Sequence, residues 1–175
     1  MDDYFDIPAL SASGIGAFYK SPLHYWKESP FNPYRVSREA TPAMLLGKVA
    51  HKLILEYDTF NEEFAVAPKC DRRTTAGKAE FAAFEAQSVG KTVVALDVYI
   101  QATAMFDALQ RNNAVKQLLS VGESELPLLW NNGHINCKGK LDRYREGLIV
   151  DYKTTEDASE NGFSKSIAQW GYHRQ

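Results

Sequence analysis

The spacing of apolar residues along this chain changes once. Through the first two thirds they recur at three- and four-residue intervals, the helical period; from Glu123 onward they alternate in the manner of strands. Ser11 or Ser13 stands where it can cap a short helix running through Phe18 and Tyr19, and Pro22 sits at a helix-opening position before His24, Tyr25 and Trp26. Thr41-Pro42 is a stronger start, an N-cap followed by proline. It leads into Met44, Leu45, Val49, Leu53 and Ile54 and predicts a helix to about residue 57. Thr74-Thr75 caps a predicted helix over 76–88 with Gly90 as its stop, a short strand follows over 92–96, Asp97 is the expected cap of a helix to about 109, and 114–119 reads as a further helical turn or two.

The β-like part predicts strands over 123–130, 135–145 and 148–154, joined at Asn131-Asn132-Gly133 and Glu146-Gly147. A last helix is expected after Asp157-Ala158-Ser159 or around Ser164. It runs to the end of the chain with no capping signal, which reads as a truncation. The expected fold class is therefore α/β (α+β), with a mainly helical first half, a three-stranded meander and a closing helix. With 175 residues, no repeats and no long linker, the chain reads as a single domain over 1–175, incomplete at its C-terminus.

Composition narrows the chemistry. Lys and Arg number 20 against 22 Asp and Glu, a formal net charge of −2, so a polyanion must be gripped locally rather than by the whole-molecule field. The two cysteines, Cys70 and Cys137, are too few and too far apart for a disulfide scaffold or a zinc site, and they fit a reduced cytoplasmic setting. The acidic start Met1-Asp2-Asp3-Tyr4 is not a signal peptide, and no apolar run is long enough to span a membrane.

Candidate chemistry concentrates between Gly139 and Thr154. If Glu146-Gly147 is a two-residue turn, Arg145 pairs with Leu148, and counting outward sets Asp142 opposite Asp151, with Cβ atoms roughly 4.5–5.5 Å apart. Opposed like charges need either open solvent or a cation between them. Carboxylate oxygens select a hard divalent ion such as Mg²⁺, with Mn²⁺ as its substitute. Lys153 falls on the face of Asp151 and Lys140 on that of Asp142, so an ammonium stands ready to stabilise a developing anion. The same residues could also simply keep one face of a hairpin wet. The run Leu148-Ile149-Val150 argues for a strand covered on both faces, a poor place for idle charges.

Two further clusters carry the same ambiguity. Gly47 and His51 share a helix face, leaving room beside an imidazole that is either a metal ligand or a hydrogen-bonded core residue. Glu56 lies roughly 140° further round. Lys69, Arg72, Arg73 and Lys78 surround a helix N-terminus, where cations and exposed N–H groups can meet a phosphate or form a solvated loop.

The order Gly47-x-x-x-His51, Asp142, Asp151-x-Lys153 resembles the RecB-type branch of the PD-(D/E)xK nuclease superfamily. More closely, it resembles the C-terminal nuclease domain family of RecE (exonuclease VIII) and its phage-borne relatives. That resemblance rests on Leu10-Ser11-Ala12-Ser13, Ser21-Pro22, Tyr25-Trp26, the stretch from Leu46-Gly47 to Leu55-Glu56, Ala67-Pro68-Lys69, Asp71-Arg72-Arg73-Thr74, Gly139-Lys140-Leu141-Asp142-Arg143, Asp151-Tyr152-Lys153-Thr154-Thr155 and Tyr172-His173-Arg174-Gln175. It implies a restriction-endonuclease-like core and a Mg²⁺-dependent exodeoxyribonuclease that digests linear double-stranded DNA from its ends, 5′-to-3′. It further implies a ring-shaped homo-oligomer that hands its single strand to an annealing protein in phage-type recombination.

By position, the resemblance makes His51, Asp142 and Asp151 metal ligands and Lys153 the catalytic lysine, while Gln175 opens the motif Q-x-x-x-Y, whose tyrosine lies beyond residue 175. Iron-sulfur relatives are excluded by the cysteine count. The competing expectation is a catalytically silent, truncated remnant that binds DNA or a recombination partner.

Overall fold

The structure is a computed structural model and describes residues 4–35 and 40–172. Contacts divide these residues into two compact units. One takes the described residues up to 35 and from 125 onward; the other takes 40–124.

In the first unit, Leu10 forms a parallel bridge with Cys137, its N–H donating to the Asn136 carbonyl at 2.9 Å and its carbonyl accepting from the Lys138 N–H at 2.8 Å. Helix α1 (Ala12–Lys20) starts at once, because the Ser11 hydroxyl takes the Gly14 N–H. Ser21 serves two helices: its N–H closes α1 on Ala17, and its hydroxyl caps α2 (Pro22–Glu28) at the His24 N–H. The expected meander is present as β3 (Glu123–Asn131), β4 (Asn136–Arg145) and β5 (Leu148–Val150), in that spatial order. The two-residue turn holds: Arg145 pairs with Leu148, Tyr144 with Ile149 and Arg143 with Val150, and Gly147 takes the φ of +77° that glycine accepts without strain.

Three expectations in this unit need correction. Strand β5 stops at Val150 rather than continuing to 154. Ile149 is 58 % exposed, so β5 is covered on one face only, as an antiparallel meander allows. Helix α8 (Glu160–Trp170) does not continue to the end of the chain, because Gly171 adopts a left-handed φ of 68° and supplies the missing C-cap.

In the second unit, α3 (Pro42–Leu55), capped by Thr41, buries Val49, Ala50, Leu53 and Leu55 and packs against α6 (Leu96–Arg111). A 3-10 turn (Tyr57–Thr59) and α4 (Phe60–Glu63) deliver the chain to β1 (Phe64–Val66). This strand pairs in parallel with β2 (Thr92–Val94), and α5 (Thr75–Gln87) is the crossover that parallel pairing requires. Phe60 stacks on Phe64 and tilts against Tyr99, centring the core on aromatic rings beside Val49, Leu53 and Val94. The cap of α6 is Ala95, with Asp97 in the first turn instead, where its charge faces the positive end of the helix dipole. Asn112 caps α7 (Asn113–Ser120) through two N–H groups. The parallel β1–β2 pair escaped the sequence reading, since two three-residue runs carry no sign of their partner.

Candidate active site

The first unit gathers the charged residues of the hairpin where β4 and β5 separate. Asp142 lies one residue beyond the last ladder pair, and its Oδ2 accepts the Tyr152 N–H at 2.7 Å, so a side chain takes over where strand pairing ends. That bond fixes Asp142, whose side chain is only 12 % exposed; Asp151, at 47 %, stands open to solvent. Lys153 Nζ pairs with Asp151 Oδ1 and lies 4.0 Å from Asp142 Oδ2. The structure thus brings Asp142, Asp151 and Lys153 together. Burial also raises the pKa of the Tyr152 phenol.

Glu125 on β3 joins them, and the sequence reading missed it. It offers a carboxylate oxygen within 4.8 Å of one on Asp142, and it is ion-paired with Lys140. Its backbone φ is +52°, the only positive value at a non-glycine among the described residues, and a glutamate held there costs about 1–3 kcal/mol. No local motif marks this residue, because the loop between β3 and β4 leaves their register open. Its position depends on Asn132, whose side chain accepts the His134 and Ile135 N–H groups and sets the loop length.

Lys138, Lys140 and Asp142 follow at alternate positions along β4. Lys138 and Lys140 both lie against the Tyr4 ring, with Nζ to centroid distances of 5.1 and 5.7 Å. Lys138 is a second residue the sequence reading passed over. It is 6 % exposed, and its ammonium donates to the carbonyls of Tyr4, Phe5 and Ile7 at 3.0, 3.1 and 3.0 Å. Burial lowers its pKa.

His51 lies in the second unit on α3, half-buried, one turn after Gly47. The Glu56 carboxylate is committed to Lys52 at 3.1 Å, with Glu63 on the same ammonium at 3.6 Å. In the basic segment, Arg73 grips both carboxylate oxygens of Asp71 and holds that carboxyl below its ordinary pKa, while Arg72 lies 3.9 Å over the Phe81 ring. The Gly77 N–H is taken by the Thr74 hydroxyl. Two of the four expected phosphate contacts therefore have local partners, and Lys69 and Lys78 remain exposed. Gln175 lies outside the described residues.

Carboxylate oxygens beside ammonium groups form a donor set suited to a hard divalent cation. The mixed α/β fold and the family model that matches the chain define the class: a PD-(D/E)xK-like domain. Residues 11–175 match the family described as PDDEXK-like domain of unknown function (DUF3799), and the chain belongs to that family. No curated protein and no solved structure gives a significant match. Among the described residues, no helix is long and apolar enough to cross a membrane.

Proposed function

We propose that this chain is a metal-dependent exodeoxyribonuclease that hydrolyses the phosphodiester bonds of linear double-stranded DNA, 5′-to-3′, as in the RecE-like family. The observation that carries the reading is the convergence of Asp142, Asp151 and Lys153 at the exit of β5. Asp142 and Asp151 would hold Mg²⁺ or Mn²⁺, with Glu125 beside them; the motif order assigns His51 as a further ligand. The bound ion would lower the pKa of the attacking water and polarise the phosphoryl oxygen.

The protein's own groups divide the remaining work. Asp142, locked by the Tyr152 N–H, is the fixed point of the site, and exposed Asp151 can turn toward an arriving substrate. Lys153, already within reach of both carboxylates, can orient the water and stabilise charge on the phosphoryl oxygens. Lys140 is placed to meet a backbone phosphate, with Lys69, Arg72, Arg73 and Lys78 as outlying contacts to the duplex. The same reading carries a cytoplasmic location, a ring-shaped homo-oligomer and an annealing protein as recipient of the single strand.

The test is degradation of linear and covalently closed duplex in Mg²⁺ by the wild type, Asp151→Ala and Lys153→Ala. The expected result is loss of linear substrate with wild type only, together with a product pattern that gives the polarity. Undiminished cleavage by both variants overturns the residue roles. Binding of duplex ends by a wild type that never cuts establishes the silent-remnant alternative instead.

A further inference from the structure

The segment from Tyr4 to Ile7 lies along the face of β4 that leads to Asp142, and three observations give it more than a packing role. Its backbone is held rigidly: the buried Lys138 ammonium donates to three of its carbonyls, and Asp6 is ion-paired with Arg35. From this fixed backbone Tyr4 turns inward, 8 % exposed, whereas Phe5 turns outward at 65 % exposed while meeting Tyr4 edge-on at 5.3 Å. Finally, the Lys140 ammonium lies 5.5 Å from the Phe5 ring centroid and is paired with Glu125, so a single cation links the exposed ring to the carboxylate group.

Phe5 is therefore an exposed aromatic ring whose position is set by an anchored backbone and a cation beside it. An aromatic face beside a lysine is the pairing that accepts a nucleobase on the ring and its phosphate on the ammonium. We infer that Phe5 is a stacking platform for the terminal base of a DNA strand, holding that nucleotide beside Glu125 and Asp142, with Lys138 as the positioning residue that keeps the platform in place. The inference rests on the nuclease reading above for its substrate class. It adds the recognition of a strand end, where a base can leave its partner and stack on protein at low cost; an internal base pair cannot.

The experiment titrates the full chain, without added metal, into short duplexes carrying 2-aminopurine either as the terminal base or at the centre. Wild type and Phe5→Trp are expected to quench the terminal probe and leave the central one unchanged. Phe5→Ala is expected to lose the quench and to bind the end roughly 5- to 100-fold more weakly, with an unchanged melting temperature because the ring is mostly exposed. In Mg²⁺ the same variant should raise KM by a similar factor and leave kcat within about twofold, the split expected of a group that binds ground and transition states equally. Equal quenching by wild type and Phe5→Ala, or no terminal signal with wild type, overturns the platform. A wild type that quenches the terminal base without cutting in Mg²⁺ supports the platform and overturns the nuclease reading, so the two failures are distinguishable.

Discussion

Replacing Lys138 by methionine tests the anchoring of the N-terminal segment directly. Methionine keeps most of the aliphatic stem and removes the ammonium, so three carbonyls lose a donor. Ile7 O retains the Ala9 N–H at 2.8 Å, and the Phe5 carbonyl is partly open to water; the Tyr4 carbonyl bond is buried. A buried acceptor left unmatched costs about 1–3 kcal/mol, and removal of a buried charge returns part of its desolvation cost. The net expectation is a loss of about 2 kcal/mol, concentrated in the segment. Urea unfolding measures the global part, and hydrogen exchange at the Leu10 and Lys138 amides, which bond across the bridge to β4, measures the local part.

The sign with pH follows from the lowered pKa. Between the folded value and the ordinary one near 10.4, the unfolded chain holds the extra proton, so wild-type stability from this group rises with pH across that window. Lys138→Met should lack that rise. A variant with wild-type stability and unchanged exchange at Leu10 would refute the carbonyl cage as the anchor.

Other outcomes follow from particular contacts. A Cβ on Gly77 would run into the Asp71 carbonyl oxygen, which is backbone and cannot step aside without moving the chain. Gly77→Ala should therefore lose about 1–3 kcal/mol in thermal unfolding; an unchanged melting temperature would contradict the packing. The Asp71 carboxyl should titrate below the usual range by NMR and rise part of the way back in Arg73→Ala, which removes the guanidinium but keeps the residue 73 N–H on Asp71 Oδ1. Because its folded pKa is depressed, the stability it contributes is present above the ordinary carboxylate pKa and lost as pH falls through the folded value. Calorimetry with Mn²⁺ should show binding weakened by roughly tenfold or more in Asp142→Asn and in Glu125→Gln; an unchanged affinity in both would remove the carboxylates from the metal site.

Much of this molecule is legible in its sequence alone. Hydroxyl residues placed before helical runs located α1, α3, α5 and α8, because N-capping is a local exchange between one side chain and the next turn, and Pro22 at a helix-opening position located α2. The Glu146-Gly147 turn fixed the β4–β5 register, and with it the approach of Asp142 to Asp151, for the same reason: a two-residue connection leaves no slack.

What the tertiary structure decided involved partners distant in sequence. Glu125 reaches Asp142 only through the length of the β3–β4 loop, Lys138 finds its carbonyls more than 130 positions earlier in the chain, and β1 finds β2 across a whole helix. The early stop of β5 also belongs here, since the Asp142 carboxylate takes the Tyr152 N–H that a longer strand would have given to the ladder. Local pattern specifies which backbone groups a neighbour can satisfy; the groups it leaves over are matched only when the chain closes on itself, and in this protein those late matches surround the carboxylates of the candidate site.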